Sequence, residues 1–455
     1  MLRVDSRKVK KGDTFIALKG ISSDGHDYIS KAIENGASKI IAEKGNYSVE
    51  TILVKDTREY LTNYLSQKYD KELNEMTLIG ITGTNGKTTS AYLIYQALNN
   101  LNIKCAYIGT IGFYLDKKIH DLPNTTPDIL ELYEMFMECY NKGYKHIVLE
   151  VSSQAISYKR VDKILFDYAL FTNLTQDHLD YHKTMENYAL AKQQLFKQLK
   201  KNGKAIINAD DKNNHYFVLN NDNTFYGINS GDVKVKSYVI NNNYTYIKYE
   251  YLNNEYEVTT NLVGKYNIYN ILLTITLLIK MNISIAEINR IIPKLVSPVG
   301  RMDKIVYKNN LIIVDYAHTL DAMENIVSTV SEIKHNNIYI VFGCTGDRDR
   351  TKRSMMTNYA LKNSKKVIIT NDDPHTEDVN QIVSDMLKNN TLTNYEICLD
   401  RSLAIKKGID LLKENDILLI LGKGHEEFMI VGKNKIPFND MKEVKKYINN
   451  SYVNN

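Results

Sequence analysis

The stretch Thr77-Leu-Ile-Gly-Ile-Thr-Gly-Thr-Asn-Gly-Lys-Thr-Thr, residues 77–89, decides the fold of this chain. Its first five residues form a short apolar run, which predicts a buried strand. The glycine-rich segment that follows leads into a helix predicted over residues 90–99. A strand that passes through a glycine-rich turn into a helix is typical of a phosphate-binding loop, because backbone N–H groups and the helix N-terminus together attract anions.

The loop supplies the first candidate ligand-binding residues. They are Gly83, Thr84, Asn85, Gly86, Lys87, Thr88 and Thr89. Lys87 would neutralise the β- and γ-phosphates of a nucleotide, and Thr88 would place a hydroxyl on Mg²⁺. The strict pattern has glycine where this chain has Ile81, so the loop is a variant. An ordinary turn with an exposed lysine is the alternative, and the coincidence of strand, loop, lysine, hydroxyl and helix disfavours it.

Two polar residues follow other predicted strands. Glu150 ends the strand predicted over residues 146–150, and His178 lies just after the strand predicted over residues 169–172. Because the carboxyl ends of parallel strands meet at one edge of a sheet, both side chains are expected near the loop. A carboxylate there suits Mg²⁺. Singly, such residues are more often surface residues, but their placement favours a metal site.

Outward from this loop, 455 residues are too many for one core and predict an α/β protein of three domains. Residues 1–75 predict a small α/β domain. Residues 76–298 predict a central P-loop-type domain with a mostly parallel sheet, to which residues 237–260 add antiparallel hairpins. Residues 299–455 predict a Rossmann-like, doubly wound domain, in which ligands bind at the carboxyl ends of the strands.

Composition excludes several classes of protein. A net charge of +5 without a dominant basic run argues against nucleic-acid binding. No signal peptide and no apolar run of membrane-spanning length is present. Four widely spaced cysteines without a CxxC pair indicate neither a zinc site nor disulfides. The chain is therefore predicted to lie in a reducing cytoplasm, without nucleic-acid partners and without stable membrane insertion.

Seven segments, in order along essentially the whole chain, resemble the Mur ligases. They are Gly83-Thr-Asn-Gly-Lys-Thr-Thr, Glu150-Val-Ser-Ser, Thr172-Asn-Leu-Thr with Asp177-His-Leu-Asp-Tyr-His, Gly264-Lys-Tyr-Asn-Ile-Tyr-Asn, Asp315-Tyr-Ala-His-Thr, Phe342-Gly-Cys-Thr-Gly-Asp-Arg-Asp and Gly422-Lys-Gly-His-Glu. The resemblance implies a monomeric, ATP- and Mg²⁺-dependent ligase of peptidoglycan precursor synthesis with small-molecule substrates. It would add a diamino acid to UDP-MurNAc-L-Ala-D-Glu through an acyl phosphate.

The resemblance also implies roles for individual residues. Lys192, which from the sequence alone is a helix-surface lysine, matches a carbamylated lysine (N6-carboxylysine) that holds a second Mg²⁺. The implied catalytic residues are Lys87, Glu150, His178 and Lys192, and the implied metal ligands are Thr88, Glu150, His178 and the Lys192 carbamate. Further ATP contacts would be Asn267, Asn270, Arg301 and Asp315, with His318 beside them. The UDP-MurNAc-peptide would contact Ser6, His26, Thr125, Thr126, Ser152 and Arg160. The amino acid would contact Asp372, Asp373, His375, Gly422 and Glu426.

The chain departs from the family pattern at several positions. Gln154, Tyr158 and Leu320 replace the usual His, Gln and Pro. Asp372-Asp-Pro-His replaces the Asp-Asn-Pro-Arg of enzymes that add meso-diaminopimelate, whose arginine grips a carboxylate with two hydrogen bonds. Because His375 cannot form that fork and Asp373 adds negative charge, L-lysine is slightly favoured, with meso-diaminopimelate as the alternative.

Two other functions stay open. One is a paralogue with another acceptor, such as a folylpolyglutamate synthetase. The N-terminal segments Asp5-Ser-Arg and Asp24-Gly-His argue against the folate enzymes, which lack a uridine-binding domain. The other is a non-catalytic nucleotide-binding protein on the same fold, which the complete set of implied metal ligands disfavours.

Overall fold

The computed structural model describes residues 1–453 except 21–22, 220–221, 242–243, 299 and 301. Three large sheets follow one another along the chain, each flanked by helices, with a small ribbon near the C-terminus. The predicted α/β class, with a mostly parallel central sheet and a Rossmann-like third sheet, is confirmed. None of the described helices combines the length and apolarity needed to cross a membrane.

The first sheet has four parallel strands in the order β1-β2-β3-β4. Its elements are β1 (Leu2–Arg3), β2 (Thr14–Ile16), α1 (Ile29–Glu34), β3 (Lys39–Ala42), β4 (Glu50–Leu53), α2 (Thr57–Lys68) and α3 (Asp70–Asn74). Phe15 and Ile40 from the sheet pack with Ile29 of α1 in a small core. Since Ile16 and Ile41 pack instead against the core of the next sheet, the first sheet is buried on both faces.

The central sheet has eleven strands in the order β15-β14-β13-β12-β11-β10-β5-β9-β6-β7-β8. Its elements are β5 (Thr77–Thr82), α4 (Lys87–Asn100), β6 (Cys105–Gly109), β7 (Gly112–Tyr114), β8 (Lys118–His120), α5 (Ile129–Asn141), β9 (His146–Glu150), α6 (Ser153–Ser157), β10 (Phe166–Phe171), α7 (Leu179–His182), α8 (Met185–Lys197), β11 (Leu199–Asn208), β12 (Asp222–Gly227), β13 (Val233–Ile240), β14 (Thr245–Tyr251), β15 (Asn254–Thr260), α9 (Lys265–Lys280) and α10 (Ile285–Ile291). The run β13-β12-β11-β10-β5-β9-β6 within this sheet is parallel. The hairpins predicted near residues 237–260 are antiparallel.

The position of β5 in the centre of this sheet places the site. β5 lies between β9 and β10, and its residues after Thr77 are buried on both faces, as its unbroken apolar run predicts. The loops that follow β5, β9 and β10 therefore leave the same edge of the sheet side by side. The phosphate loop follows β5, Glu150 ends β9, and His178 lies in the loop after β10.

The third sheet has six strands in the order β16-β17-β21-β18-β19-β20, and only β16 is antiparallel to its neighbour. Its elements are β16 (Asp303–Tyr307), β17 (Asn310–Asp315), α11 (Leu320–Ser331), β18 (Ile338–Phe342), α12 (Thr351–Lys362), β19 (Lys366–Ile369), α13 (Val379–Leu387), β20 (Tyr395–Ile397), α14 (Arg401–Asp410), β21 (Ile417–Leu421), then the ribbon of β22 (Phe428–Val431) and β23 (Asn434–Pro437), and α15 (Asp440–Val453). The domain boundaries after residues 75 and 298 stay predictions.

A buried ion pair ties this sheet to the last helix. Arg401 donates two hydrogen bonds of 2.7 Å to Asp440, and neither side chain is exposed. Arg401 also donates to the carbonyl oxygens of Leu421 and Asn371, at 2.9 and 3.2 Å. The pair therefore holds together the carboxyl ends of β19 and β21.

We expect Asp440→Ala to lower the free energy of unfolding by about 3–5 kcal/mol, because it leaves the Arg401 guanidinium buried without its counter-charge. Urea unfolding followed by circular dichroism measures the change. Asp410→Ala is the matched control, since it breaks the exposed Lys406–Asp410 pair on the same helix as Arg401. That control is expected to leave the unfolding midpoint unchanged. Equal midpoints for both variants would contradict the stabilising role of the buried pair.

Candidate active site

The phosphate loop has the backbone that its glycines permit. Gly83 and Gly86 have φ angles of 142° and 82°, which side chains rarely allow. A Cβ on Gly83 would also collide with Thr172. Helix α4 begins at Lys87, three residues before the predicted start, and the Lys87 Nζ donates to the carbonyl oxygens of Gly83 and Thr84 at 3.0 and 2.8 Å. Lys87 thus lies against the loop that it is predicted to serve.

The segment after β10 holds this loop from the outside. The Thr84 N–H donates to the Asn173 carbonyl at 2.8 Å, and the Asn85 N–H to the Asn173 side chain at 2.9 Å. The Thr172 hydroxyl donates to the Asn85 carbonyl at 2.7 Å. Thr172 and Asn173 are therefore positioning residues for the loop, a role that the sequence motif did not reveal.

Glu150 and Thr88 form the centre of the candidate metal site. Glu150 is fully buried, and its Oε2 accepts hydrogen bonds from the hydroxyls of Thr88 at 2.9 Å and Thr110 at 3.2 Å. Its Oε1 accepts from the Thr110 N–H at 3.0 Å and from the Tyr107 hydroxyl. A buried carboxylate beside a hydroxyl at the end of a phosphate loop fits Mg²⁺, which prefers oxygen ligands.

Lys192 is buried, which corrects its assignment to the helix surface. Its side chain is 1% exposed, and its Nζ donates to the Gly83 carbonyl at 2.7 Å, above the ring of Tyr188. Burial, together with the nearby charge of Lys87, lowers the pKa of Lys192 well below its usual value, although Asp177 opposes the shift. Since only a neutral amine adds carbon dioxide, this environment suits the predicted carbamate.

His178 and Lys192 both lie beside the ring of Tyr188. Its ring is 6.2 Å from that of Tyr188, and its Nε2 is 3.5 Å from Asp177. Burial opposes ionisation of Asp177, but the positive charges of His178, His318 and Lys352 lower its pKa. His318 follows β17 and Lys352 lies in α12, so elements of the third sheet contribute positive charge to this side of the site.

The predicted ATP contacts from other elements divide into four cases. Asn270 lies at the loop, because a Cβ on Gly86 would be 2.8 Å from its Oδ1. Asn267 lies beside it and accepts a hydrogen bond from the Asn270 side chain at 3.0 Å, so it orients that side chain. The Asp315 carboxylate accepts the N–H groups of Met302 and Ala317, at 2.7 and 2.8 Å, and fixes the start of the third sheet. Arg301 lies outside the described residues.

A contact between two domains reaches the phosphate loop directly. The Asn85 side chain donates to the carboxylate of Asp321, in the first turn of α11. Burial raises the pKa of Asp321, although hydrogen bonds from Asn85 and Thr175 oppose the shift. The sequence did not indicate this contact, because the two residues lie 236 positions apart.

Four of the residues assigned to the UDP-MurNAc-peptide connect to the end of β9. The Thr126 hydroxyl donates to the Glu150 carbonyl at 2.8 Å and accepts the Ser152 N–H at 3.1 Å. Arg160 donates to the Thr126 carbonyl at 3.0 Å, and the hydroxyls of Thr125 and Thr110 are 3.1 Å apart. The predicted peptide site therefore adjoins the candidate metal site.

A cleft of about 520 Å³ separates the first sheet from the central domain. Its lining includes Lys19, Lys55, Arg58, Tyr158, Lys159 and Arg160. The lining also includes Glu43 and Asp128, which pair with Lys19 and Arg58, and Asp56. Lys55, Lys159 and Arg160 are therefore the cations of this cleft that fit an anionic ligand. Tyr158, one of the departures from the family pattern, forms part of its wall.

The assignment of His26 to nucleotide binding is not supported by its contacts. Its Nε2 accepts the Glu43 N–H at 3.0 Å, so its Nδ1 carries the proton and donates to Asp24 at 2.6 Å. Both ring nitrogens are thus occupied within the first domain. Ser6 is also buried, and its carbonyl accepts a hydrogen bond from Asn35 at 2.8 Å. Neither residue lines the cleft.

The predicted amino-acid pocket contains a buried cation, Lys423, to which the sequence pattern assigned no role. Lys423 is unexposed, and its Nζ lies 2.8 Å from Asp373, 2.7 Å from Glu426 and 3.7 Å from Asp372. Asp373 Oδ1 accepts hydrogen bonds from Lys423 and from the Ile430 N–H, both at 2.8 Å, so Asp373 is already engaged within the protein. Three carboxylates outnumber this one cation, so the pocket stays acidic.

The other pocket residues are arranged around Lys423. Burial raises the pKa of Glu426 to about 7, although Lys423 opposes the shift. Asp372 packs so closely on Gly422 that a Cβ there would lie 2.5 Å from its Oδ2. His375 has a φ of 50°, and its backbone is hydrogen-bonded to Ile430 and Gly432 of the ribbon. The pocket thus forms where the loops after β19 and β21 meet.

Comparisons with known proteins agree along the whole chain. Residues 1–81 match the family model of the Mur ligase catalytic domain, residues 81–278 the Mur ligase middle domain, and residues 300–424 the Mur ligase glutamate ligase domain. The UDP-N-acetylmuramoyl-L-alanyl-D-glutamate–2,6-diaminopimelate ligase of Fusobacterium nucleatum is 40% identical over 453 residues, which cover 96% of this chain and 92% of the relative. That of Aquifex aeolicus is 38% identical over 451 residues, covering 98% and 93%.

Solved structures extend the comparison to three dimensions. A 2,6-diaminopimelate ligase of the same description is 30% identical, with a TM-score of 0.68 over 99% of this chain and 95% of that one. A MurF ligase from Thermotoga maritima in complex with ADP has a TM-score of 0.69 at 20% identity, over 100% and 98% of the two chains, which shows the shared fold.

Proposed function

The chain belongs to the Mur ligase family of ATP-dependent, amide-bond-forming enzymes, and we propose that it adds meso-diaminopimelate to UDP-MurNAc-L-Ala-D-Glu in peptidoglycan precursor synthesis. The observation that carries the chemistry is the buried Thr88–Glu150 pair beside the phosphate loop. The choice of amino acid is supported by the relatives, which are named as 2,6-diaminopimelate ligases and so correct the slight preference for L-lysine that was inferred from the acidic pocket.

ATP, bound with Mg²⁺, would activate the substrate carboxylate by transferring its γ-phosphoryl group to it, which leaves ADP. The incoming amine would then displace phosphate from the acyl phosphate and form the amide. The protein's own contribution to such a transfer is mainly positioning and charge neutralisation. Lys87 would neutralise the transferred phosphoryl group. Thr88 and Glu150 would hold one Mg²⁺, and the Lys192 carbamate with His178 would hold a second.

The nucleotide-sugar peptide would occupy the cleft between the first two domains. Its diphosphate and carboxylates are anionic, and Lys55, Lys159 and Arg160 line that cleft beside the Lys19–Glu43 and Arg58–Asp128 ion pairs. The Arg160 Nε is buried and has no hydrogen-bond partner among the described residues, so it retains a donor for an incoming acceptor. Arg160 also contacts Thr126, which adjoins the metal site. The carboxylate to be activated would therefore lie towards Glu150.

The distal carboxylate of diaminopimelate requires a cationic partner. His375 cannot grip a carboxylate with two parallel hydrogen bonds, as an arginine at that position would. The loop after β18 is bonded to the His375 loop, because the Gly346 N–H donates to the Asp373 carbonyl at 2.8 Å. Arg348 is exposed on that loop, two residues further on. Arg348 is therefore our candidate for the group that binds the distal carboxylate.

Amino-acid specificity tests this proposal. We expect a kcat/KM for meso-diaminopimelate at least about 100-fold above those for L-lysine and L-ornithine, because a site built for a carboxylate rejects analogues that lack it. Mass spectrometry of the product identifies which amino acid has been added. Arg348→Ala should reduce that ratio, whereas Lys201→Ala, an exposed cation distant from the pocket, should not. A preference for lysine would contradict the proposal.

A further inference from the structure

The two carboxylate oxygens of Glu150 have different surroundings. Oε2 accepts only hydroxyl groups among the described residues, those of Thr88 at 2.9 Å and Thr110 at 3.2 Å. Oε1 accepts the Thr110 N–H at 3.0 Å and the hydroxyl of Tyr107. Hydroxyls can rotate and accept another partner, whereas a backbone N–H cannot. Oε2 is thus the oxygen that can turn to a cation, and Oε1 is fixed to the protein.

Tyr107 is held in place for this contact. It lies on β6 and is fully buried, and its residue pairs with Val148, two positions before Glu150 on the neighbouring strand β9. Because alternate residues of a strand share a face, Val148 and Glu150 lie on the same side of the sheet. Tyr92, Tyr95 and Tyr114 surround the Tyr107 ring, with centroids 6.0, 6.3 and 5.7 Å away. These four rings form a tyrosine cluster that fixes the ring position.

The orientation of the hydroxyl is also determined. The Ile111 N–H donates to the Tyr107 hydroxyl oxygen at 3.4 Å, which leaves the hydroxyl proton for Glu150. Gly109 makes this approach possible, because a Cβ there would lie 2.5 Å from the Tyr107 hydroxyl oxygen and 2.8 Å from the Glu150 Cδ. The sequence therefore provides a donor, an acceptor and the space between them.

We infer that Tyr107 is a positioning residue that makes Glu150 a one-oxygen metal ligand and thereby sets the preference of the site for Mg²⁺ over Ca²⁺. The inference rests on the metal site of the proposed function. Mg²⁺ needs compact, near-octahedral coordination, whereas Ca²⁺ takes six to eight oxygens and accepts carboxylates through both oxygens. Tyr107 occupies Oε1 and disfavours the two-oxygen mode. Removing its hydroxyl leaves Oε1 with the Thr110 N–H as its remaining donor, which frees a lone pair of Oε1 for a cation and relaxes that discrimination.

The experiment uses the full chain with Tyr107→Phe and measures ADP binding by calorimetry over a range of Mg²⁺ or Ca²⁺ concentrations. We expect the Mg²⁺ concentration for half-maximal ADP binding to rise about 10-fold or more, as for other residues that orient a metal ligand. The corresponding Ca²⁺ concentration should stay constant or fall, so the selectivity ratio drops. ADP binding in EDTA should not change, because no metal is then held.

Tyr95→Phe is the matched control, since it removes a buried hydroxyl of the same cluster whose partner is the Leu115 carbonyl. It should leave the selectivity ratio at the wild-type value. A thermal melt without ligand shows that the phenylalanine still packs among the remaining rings. A wild-type Mg²⁺-to-Ca²⁺ selectivity ratio in Tyr107→Phe would overturn the inference about Tyr107 but not the metal site. So would a loss of that ratio in Tyr95→Phe equal to the loss in Tyr107→Phe. Wild-type protein that binds ADP without any dependence on Mg²⁺ would overturn the metal site as well.

Discussion

Lys87→Ala is expected to reduce ATP turnover to background, a loss of at least about 10²–10³-fold, the scale measured when one preorganised electrostatic contact to a developing charge is removed. The Lys87 Nζ already lies 3.0 Å from the Gly83 carbonyl and 2.8 Å from that of Thr84, so it reaches the loop on which the phosphates would rest. Its ammonium is a compact charge suited to phosphate. ADP release in a coupled assay measures the loss.

The control for Lys87 is another lysine of the same domain. Lys201→Ala on β11 removes an exposed positive charge and should retain full turnover. Lys87→Arg separates charge from shape, because the guanidinium is wider than the ammonium that the loop accommodates; we expect most of the turnover to be lost. Near-normal turnover of Lys87→Ala would show that the nucleotide binds elsewhere.

Lys192→Ala is expected to lower the ligase rate by about 100-fold or more, because it removes an anion that would hold a cation beside the phosphoryl group. The side chain is 1% exposed, so alanine leaves a buried space next to Tyr188. Acetate or formate fits such a space and carries the oxygens that the carbamate would supply. We therefore expect added short carboxylates to restore part of the rate.

Two observations separate this role from simple packing. The intact wild-type protein should be 44 Da heavier under conditions that preserve a carbamate, and Lys192→Ala should lack this increment, which corresponds to about one bound CO₂. Leu195→Ala, one turn further along α8, removes buried packing but no ligand, and carboxylates should not restore its rate. Activity of Lys192→Ala equal to that of the parent would exclude the carbamate.

The fold was predictable where one segment carries its own signal. The predicted strands His146–Glu150 and Lys39–Ala42 coincide with β9 and β3, because both are short, β-branched and buried. The helices α2 and α3 were not predicted, since their sequences are largely polar and show no clear apolar face. Both helices pack against α5, and this tertiary contact stabilises them. The start of α4 was placed three residues late, because Thr88 and Thr89 are weak helix formers whose propensity the loop geometry overrides.

The site was predictable to the same extent. Lys87 and Thr88 follow β5 through the phosphate loop and Glu150 ends β9, so their placement needed only the rule that strand ends meet. Tyr107 was missed because nothing local marks it and its partner Glu150 lies 43 residues away. Lys423 lies in the quoted segment Gly422-Lys-Gly-His-Glu, but its burial was missed because its partner Asp373 is 50 residues away. His26 was assigned from a motif, and the structure shows that its motif partner Asp24 and the Glu43 backbone already use both nitrogens.

The most direct test of the ligase assignment is ADP release from ATP-Mg²⁺ with UDP-MurNAc-L-Ala-D-Glu and meso-diaminopimelate, each omitted in turn. We predict rapid ADP release only when all substrates are present, together with one equivalent of the amide product per ADP. Lys87→Ala should abolish it. No release with the complete mixture, and release instead with another acceptor such as a folate, would contradict the proposed function and assign the chain to a paralogous ligase.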